Sequence, residues 1–326
     1  MPKVSIFVQT YEHEMFIEQC INSILSQEGN YKIEILVVDD ASNDKTVEIL
    51  EKFNDNRIRL IVNTTNKGCI ETANIGYGAA NGEYCARLDG DDRYRPNFLN
   101  SVIPILENNP NVGVVYGDIA MVDSAGRISL PLGCIAKQRS RRPLIGNELV
   151  PLLLKNYLPA PTTIGRTKIW QKLLPIPPIL HYLDYYMTTQ AAHVCDFAFV
   201  NEVLADYRIH LGNQHSRMVL DKTGESSTFE ILKMAFNRPE YKYEKIKYIK
   251  QIEGACYLDY ANKYFGEGMD VDAKRCYWAA IKRDLFLMSN LEIVRRLLGT
   301  YLGYNLYNKV KRKFNIFKDL IIGFKD

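Results

Sequence analysis

Tyr84-Cys85-Ala86-Arg87-Leu88-Asp89-Gly90-Asp91-Asp92 is a short, β-rich run that stops in a turn holding three carboxylates, Asp89, Asp91 and Asp92. Like charges this close repel and raise one another's pKa unless a cation lies among them. Hard oxygen ligands beside a glycine suit Mg²⁺ or Mn²⁺, which share a few carboxylates with the phosphates of a substrate. In isolation such a turn is more often a solvated acidic loop or a cap for the helix that opens near Pro96. The segments upstream change that balance.

Lys3-Val4-Ser5-Ile6-Phe7-Val8 is a first strand-like run, and Phe16, Ile17, Cys20, Ile21, Ile24 and Leu25 then recur at helical spacing. A second strand, Ile33 to Val38, ends in Asp39-Asp40. Ser42-Asn43-Asp44 supplies good cap residues for a helix carrying Val47, Leu50 and Phe53. Ile58 to Val62 repeats the strand signal, and Ile70, Ala73 and Tyr77 mark another helix. This alternation implies βαβ units, a doubly wound, mostly parallel sheet with helices on both faces. Ligands of such sheets bind beyond the C-terminal strand ends. Tyr11-Glu12, Asp39-Asp40, Asn66-Lys67 and Asp89 to Asp92 lie at those ends, so four strand ends converge on one crevice.

Further along, Pro96 to Asn108 reads as a helix, Val112 to Tyr116 and Ile119 to Val122 as two strands, and Ser129 to Pro143 as a basic loop. Leu173 to Pro178 is too proline-rich for regular structure. His181 to His193 reads as a helix presenting Asp184, and Phe197 to Arg208 as a strand running into Ile209-His210. Beyond about residue 220 the periods are helical, with Ala255 to Phe265 and Asp272 to Arg283 as an antiparallel pair joined by Gly266-Glu267-Gly268. The tail from Lys309 to Phe324 interleaves bases with Phe314, Ile316, Phe317, Leu320, Ile321 and Ile322. This is the composition of a solvated amphipathic segment or of one lying on an anionic membrane.

The 326 residues are 47% hydrophobic and 24% charged with a net charge of +3, ordinary for a globular protein and too near neutrality to suggest a nucleic-acid partner. No apolar run approaches the length that spans a bilayer. Met1-Pro2-Lys3-Val4 enters the first strand without a signal-peptide pattern. Seven cysteines without C-x-x-C spacing favour reduced thiols and a cytoplasmic setting.

In the functional reading of the loops, one carboxylate of Asp39-Asp40 accepts from the imide N–H of a base while Tyr11 supplies a flat face. The bland reading makes the same aspartates turn and cap residues. Asp184, between Leu183 and Tyr185-Tyr186, has the partly apolar setting that suits a general base. His210 precedes a polar loop able to meet a metal or a diphosphate.

Taken in order, Val4 to Tyr11, Ile21 to Gln27, Ile35 to Asp44, Asn66-Lys67-Gly68, Ala80 to Tyr84 and Leu88 to Asp92 resemble the donor half of the inverting, GT-A-fold glycosyltransferases of family two. The likeness is close over residues 1–126 and looser over 127–216. It implies a nucleotide-sugar donor held by Gln9, Thr10, Tyr11, Asp40, Asn66, Lys67, Asp89, Gly90 and Asp91, with Tyr11 and Asp40 at the base, most simply uracil, and Asp89 at the ribose. It implies Mn²⁺ or Mg²⁺ at Asp91, His210 near the diphosphate and the metal, and Asp184 as the base that deprotonates an acceptor hydroxyl. The family usually has Pro-Thr-Tyr-Asn where this chain has Gln9-Thr10-Tyr11-Glu12, an arginine where it has Ala73, and an acidic pair where it has Leu183-Asp184.

The resulting expectation is a GT-A-type α/β domain made of a donor half (1–126) and an acceptor-side half (127–219), followed by a helical extension (220–326). Its function would be metal-dependent, inverting sugar transfer to a glycan or other hydroxyl acceptor in cell-surface glycan synthesis. Possible further partners are a membrane surface, met through the tail, and a second copy of the chain. The alternatives are a nucleotidyltransferase, although Gln9 to Met15 lacks the usual glycine-rich phosphate loop, or a catalytically silent nucleotide- or sugar-binding module. A nicotinamide oxidoreductase is disfavoured by the absence of G-x-G-x-x-G after the first strand.

Overall fold

The computed structural model describes residues 3–128, 144–210, 214–238, 246–304 and 306–309. The chain divides into two compact units, 1–213 and 214–326. The basic loop expected over Ser129 to Pro143 and all but the first residue of the tail lie outside the described residues.

The first unit alternates as the periodicity predicts: β1 (Val4–Thr10), α1 (Ile17–Leu25), β2 (Ile33–Asp39), α2 (Thr46–Glu51), β3 (Ile58–Val62), α3 (Gly68–Ala79) and β4 (Tyr84–Asp89). Strand β1 lies parallel between β2 and β4, with Val8 opposite Val37 and Leu88, and β3 extends the sheet beyond β2. The four strands therefore end on one side, where Thr10, Asp39 and Asp89 stand nearly level. Val4, Ile6 and Val8 are fully buried with Ile17, Cys20, Ile21 and Ile24 of α1. Burying each such aliphatic side chain contributes about 1.5–3 kcal/mol. Helix α3 packs on the opposite face of β1, where a Cβ on Gly76 would fall within 2.2 Å of the Phe7 ring. Glycine is required there by close approach.

The short β5 (Arg93–Tyr94) and α4 (Phe98–Asn108) follow, and Pro104 sits inside α4 without ending it. The two strands expected over residues 112–122 are one, β6 (Val112–Val122), with its register shifting at Gly117 and Asp118. Irregular pairing there carries the strand past the Gly117-Asp118 break that the sequence suggested. After β7 (Ile145–Gly146) come α5 (Leu149–Leu154), β8 (Ile164–Arg166), α6 (Thr167–Lys172), α7 (Leu183–Ala191) and β9 (Asp196–Arg208). The nine strands order as β3-β2-β1-β4-β8-β6-β9-β5, with β7 beside β9. β8 is antiparallel to both β4 and β6, while β6 and β9 run parallel. The pairings among β1 to β4 are thus all parallel, and those beyond them are mixed.

The second unit is helical: α8 (Gln214–Leu220), α9 (Thr223–Phe236), α10 (Ile246–Gly266), α11 (Asp270–Arg283), a 3₁₀ turn over Leu285–Ser289, and α12 (Leu291–Leu302). The expected pair is present as α10 and α11. Inside this unit Glu225 receives both guanidinium arms of Arg275, at 2.9 and 2.6 Å, and the Tyr264 hydroxyl at 2.7 Å. That network satisfies a buried carboxylate, which otherwise opposes folding.

Candidate active site

The loop after β4 is fastened by main-chain bonds that leave its side chains free for other work. The Gly90 N–H donates to the Gln9 carbonyl at 2.9 Å and the Asp92 N–H to the Asp89 carbonyl at 3.0 Å. A Cβ on Gly90 would stand 2.7 Å from both Thr10 Oγ1 and His13 Nδ1, so the loop needs glycine to lie against β1. From the other side, Arg208 at the end of β9 donates its N–H to Asp92 Oδ1 and its Nε–H to the Asp91 carbonyl, each at 2.8 Å. Its remaining guanidinium hydrogens reach Gln19 Oε1 and the carbonyls of Asp123 and Ser124, and its plane lies 4.7 Å from the Phe16 ring centre. The sequence reading passed over this residue; a basic side chain in a strand pattern, one step before the polar loop, was the available signal.

Arg208→Met leaves those acceptors in place without donors. We expect it to cost about 2–4 kcal/mol and to lower the melting temperature by several degrees, with lysine failing to rescue because it lacks the guanidinium fork. An unchanged melting curve would contradict the clamp.

The three carboxylates are not equivalent. Burial works against the charge of Asp91, but the hydrogen bond from His210 and the nearby His13 hold its carboxyl below the usual range. Asp91 Oδ2 and His210 Nε2 are 2.9 Å apart. Burial, opposed by Arg87, raises Asp89. Asp92, buried and beside the other two, is pushed well up, and its Oδ2 has no hydrogen-bond partner. Of the three, Asp91 alone is held below its usual range.

Arg87 explains how Asp89 is held. Two residues before Asp89 on β4 it shares that residue's face, and its guanidinium meets Asp89 Oδ2 at 3.0 Å and Gln9 Oε1 at 3.4 Å. Gln9 in turn donates from Nε2 to the Cys69 carbonyl at 3.1 Å. Gln9, one of the departures from the family pattern, is thus tied to a cation that the sequence reading had not picked out.

Beyond β2, both aspartates carry local bonds. Asp39 accepts from the Ser42 N–H and hydroxyl at 2.9 and 2.6 Å. Asp40, 4% exposed, accepts from Asn63 Nδ2 and from the N–H groups of Lys67 and Gly68, all at 2.8 Å. The capping reading therefore holds for both aspartates, and Asp40 fixes the Asn66-Lys67 loop to the end of β2. Tyr11 is 38% exposed, and its phenol is raised chiefly by its hydrogen bond with Glu12. The same hydroxyl is within reach of Asn66. Glu12 and Ala41 both adopt positive φ, 55° and 64°. Non-glycine residues held there are strained, and such strain gathers at sites whose surroundings over-determine it.

Asp184 lies in the first turn of α7, half-buried, with Asn156 Nδ2 at 3.4 Å from its Oδ2. It is close enough to Asp89 and Arg87 for its charge to bear on both. Every candidate residue thus falls at one end of the first unit's sheet. Asp91 and His210 meet directly, and Asp184 comes up from the far half of that unit.

The carboxylate of Asp91 is a hard oxygen that suits Mn²⁺ or Mg²⁺, and His210 Nε2, 2.9 Å from it, could add an imidazole ligand to the softer of the two, Mn²⁺. No group of three His, Cys, Asp or Glu poised to ligate occurs among the described residues, so these two would share the ion with substrate oxygens and water.

Residues 5–153 match the model of glycosyl transferase family 2. A glycosyltransferase from Haemophilus influenzae is 29% identical over 69% of this chain and 71% of its own length. Among solved structures, residues 1–349 of Staphylococcus aureus TarS in complex with UDP-GlcNAc align with TM-score 0.64 and 18% identity over 95% of this chain and 92% of theirs. The mannosyltransferase PcManGT from Pyrobaculum calidifontis, in complex with GDP-Man and Mn²⁺, aligns with TM-score 0.62 and 16% identity over 96% of this chain and 88% of its own. Fold and sequence together define a glycosyltransferase. Residues 5–153 carry the family two domain, and the fold is of GT-A type.

Proposed function

We propose that this glycosyltransferase moves a sugar from a nucleoside-diphosphate donor, UDP-linked by preference, to an acceptor hydroxyl with inversion. The observation that carries the reading is the convergence of Asp89, Asp91, His210 and Asp184 on one end of the sheet. Tyr11 offers an open ring for the base, and the loop tied down by Asp40 presents Asn66 and Lys67 beside it. Asp89, steadied by Arg87, orients the ribose, and such fixed placement supplies orientation rather than chemistry. Asp184 takes the proton of the acceptor hydroxyl as its oxygen attacks the anomeric carbon opposite the leaving diphosphate. A divalent cation held by Asp91 and His210 would supply the positive charge that a departing diphosphate needs.

The six described cysteines are free thiols, in keeping with a cytoplasmic enzyme, and the setting we propose is cell-surface glycan synthesis. Among the described residues no helix is long and apolar enough to cross a membrane. The basic, apolar tail beyond Lys309 is the natural candidate for peripheral contact, and the helices of the second unit for self-association.

Calorimetric titration of UDP, GDP, dTDP and CDP, with Mn²⁺ and then with EDTA, tests the donor reading. One diphosphate, UDP, should bind in the metal and lose at least about tenfold in affinity when it is chelated. If none binds in either condition, the silent-module alternative takes over. Equal binding in EDTA would remove the metal from the site.

A further inference from the structure

Helix α11 turns outward Val271, Arg275, Trp278 and Lys282, and α12 turns outward Leu291, Arg295, Leu298 and Leu302. Both sets follow the i, i+4, i+7, i+11 spacing of a single helical stripe. An outward stripe is normally polar; here α12 is apolar at three of its four positions and α11 at two. Trp278 of the first stripe reaches α12 at Tyr301, the exposed neighbour of Leu302: its Nε1 donates to the Tyr301 hydroxyl at 3.2 Å, and Lys274 Nζ lies 4.6 Å from the same ring centre. Between the helices, the 3₁₀ turn thrusts Leu285 and Phe286 into solvent, 75% and 86% exposed, and Leu291 follows at 84%. The turn is a built feature: Asp284 caps it by accepting from the Phe286 N–H at 3.0 Å, and Asn290 caps α12 through the Glu292 N–H at 3.0 Å. Scattered apolar residues are ordinary on a surface, but a contiguous set at the tip of a turn marks a place where water is to be excluded.

We propose that the face formed by Phe286, Leu291, Leu298, Tyr301, Trp278 and Leu285 docks on an anionic lipid bilayer. Charge selects this occupant. From Val271 to Leu302 there are six bases, Lys274, Arg275, Lys282, Arg283, Arg295 and Arg296, against three acids, Asp272, Asp284 and Glu292. Arg275, Arg283 and Arg296 are engaged by Glu225, Glu253 and Glu292, and the half-exposed Arg295 stands at 4.0 Å from Glu292, at the edge of ion-pair distance. Lys282 has no ion pair among the described residues and stands exposed two positions before the turn's cap, and Lys274 and Arg295 rim the apolar stripes. Further along the chain Lys309, Lys311, Arg312 and Lys313 continue the same sign. An apolar tip ringed by bases is the pattern of a surface-lying element, whose apolar groups sink to the acyl boundary while the bases meet lipid phosphates. Trp278 and Tyr301, with apolar bodies and polar edges, suit the interface level. A second copy of the chain would bring like charges together across the same face. The inference concerns the second unit alone and stands whether or not the donor reading holds.

The chain has two tryptophans, and Trp170 is 2% exposed within the first unit, so a fluorescence change on adding vesicles reports Trp278. Full-length protein is mixed with phosphatidylcholine vesicles, with and without phosphatidylglycerol, and followed by emission and by co-sedimentation. The expected result is a blue shift and pelleting with the anionic vesicles only. Phe286→Ser/Leu291→Ser, at positions too exposed to affect folding, should weaken partitioning about tenfold or more, and a chain ending at Lys309 should keep the blue shift. Absence of binding to anionic vesicles overturns the proposal. So does full binding by the double variant, which would leave the tail as the sole anchor. A concentration-dependent dimer that the same double substitution abolishes, with no vesicle binding, would assign the face to a second copy instead.

Discussion

Asp91→Ala is expected to lower kcat/KM for sugar transfer by about a thousandfold, roughly 4 kcal/mol of lost transition-state stabilisation, and to abolish the metal dependence of nucleotide binding. The size follows from what the side chain alone does. The Asp91 carbonyl is already committed to Arg208 Nε, and the loop is closed by the Gly90 and Asp92 N–H groups. Removing the carboxylate therefore leaves the loop's backbone anchored, and the melting temperature should stay within a few degrees of wild type. What disappears is the one acid of the three held below its usual pKa range, together with the partner of His210. His210→Ala should act in the same direction with smaller size, since a neutral imidazole is a weaker electrostatic partner for a cation than a carboxylate. Titrating Mn²⁺ against each variant under initial-rate conditions separates the two. Full activity of Asp91→Ala at any metal concentration would remove the residue from the mechanism.

The donor half was legible because its elements are long and strongly periodic. Strands of five to seven residues alternate with helices whose buried positions, such as Ile17, Cys20, Ile21 and Ile24, repeat at 3.6. Once four strands are parallel, the convergence of their ends is a consequence of topology rather than a separate inference. The second half resisted for physical reasons that can be named. β8 is three residues, Ile164-Gly165-Arg166, too short to show a period, and its insertion between β4 and β6 depends on tertiary fit. That fit involves the Trp170 ring, which would stand 2.6 Å from a Cβ on Gly165 and whose Nε1–H reaches the Cys85 carbonyl at 3.0 Å. Helices α5 and α6, six residues each, are likewise below the length at which spacing speaks.

Site residues divided in the same way. Asp89, Asp91, Asp184 and His210 announced themselves as acids or imidazoles at strand and helix ends. Arg87 and Arg208 did not, because a cation inside an apolar run carries no signal until its partners are known. Asp40 illustrates a third case. Its carboxylate caps the loop before α3, and any contact with a base is added to that duty, so neither reading excluded the other.

For Asp184→Asn the expected outcome is a fall in kcat of about a thousandfold, with the affinity for nucleoside diphosphate unchanged. Asparagine keeps the shape and can still meet Asn156 through its amide oxygen, so the first turn of α7 should persist. It cannot accept a proton, and that function separates the two side chains. The place of Asp184 in the first turn of α7 keeps the carboxylate at the end of the sheet where Arg87 and Asp89 stand. The family pattern usually places two acids here, and Leu183 occupies the other position, 3% exposed and packed inward. Leu183 therefore has neither the chemistry nor the access to share the task, and under the proposed mechanism proton removal would rest on Asp184 alone. Pre-steady-state measurement with donor and acceptor, alongside calorimetry with UDP and Mn²⁺, tests both parts. Transfer at the wild-type rate would move the base to another group. A parallel loss of nucleotide affinity would instead give Asp184 a place in donor binding, through the electrostatic tie to Asp89 and Arg87.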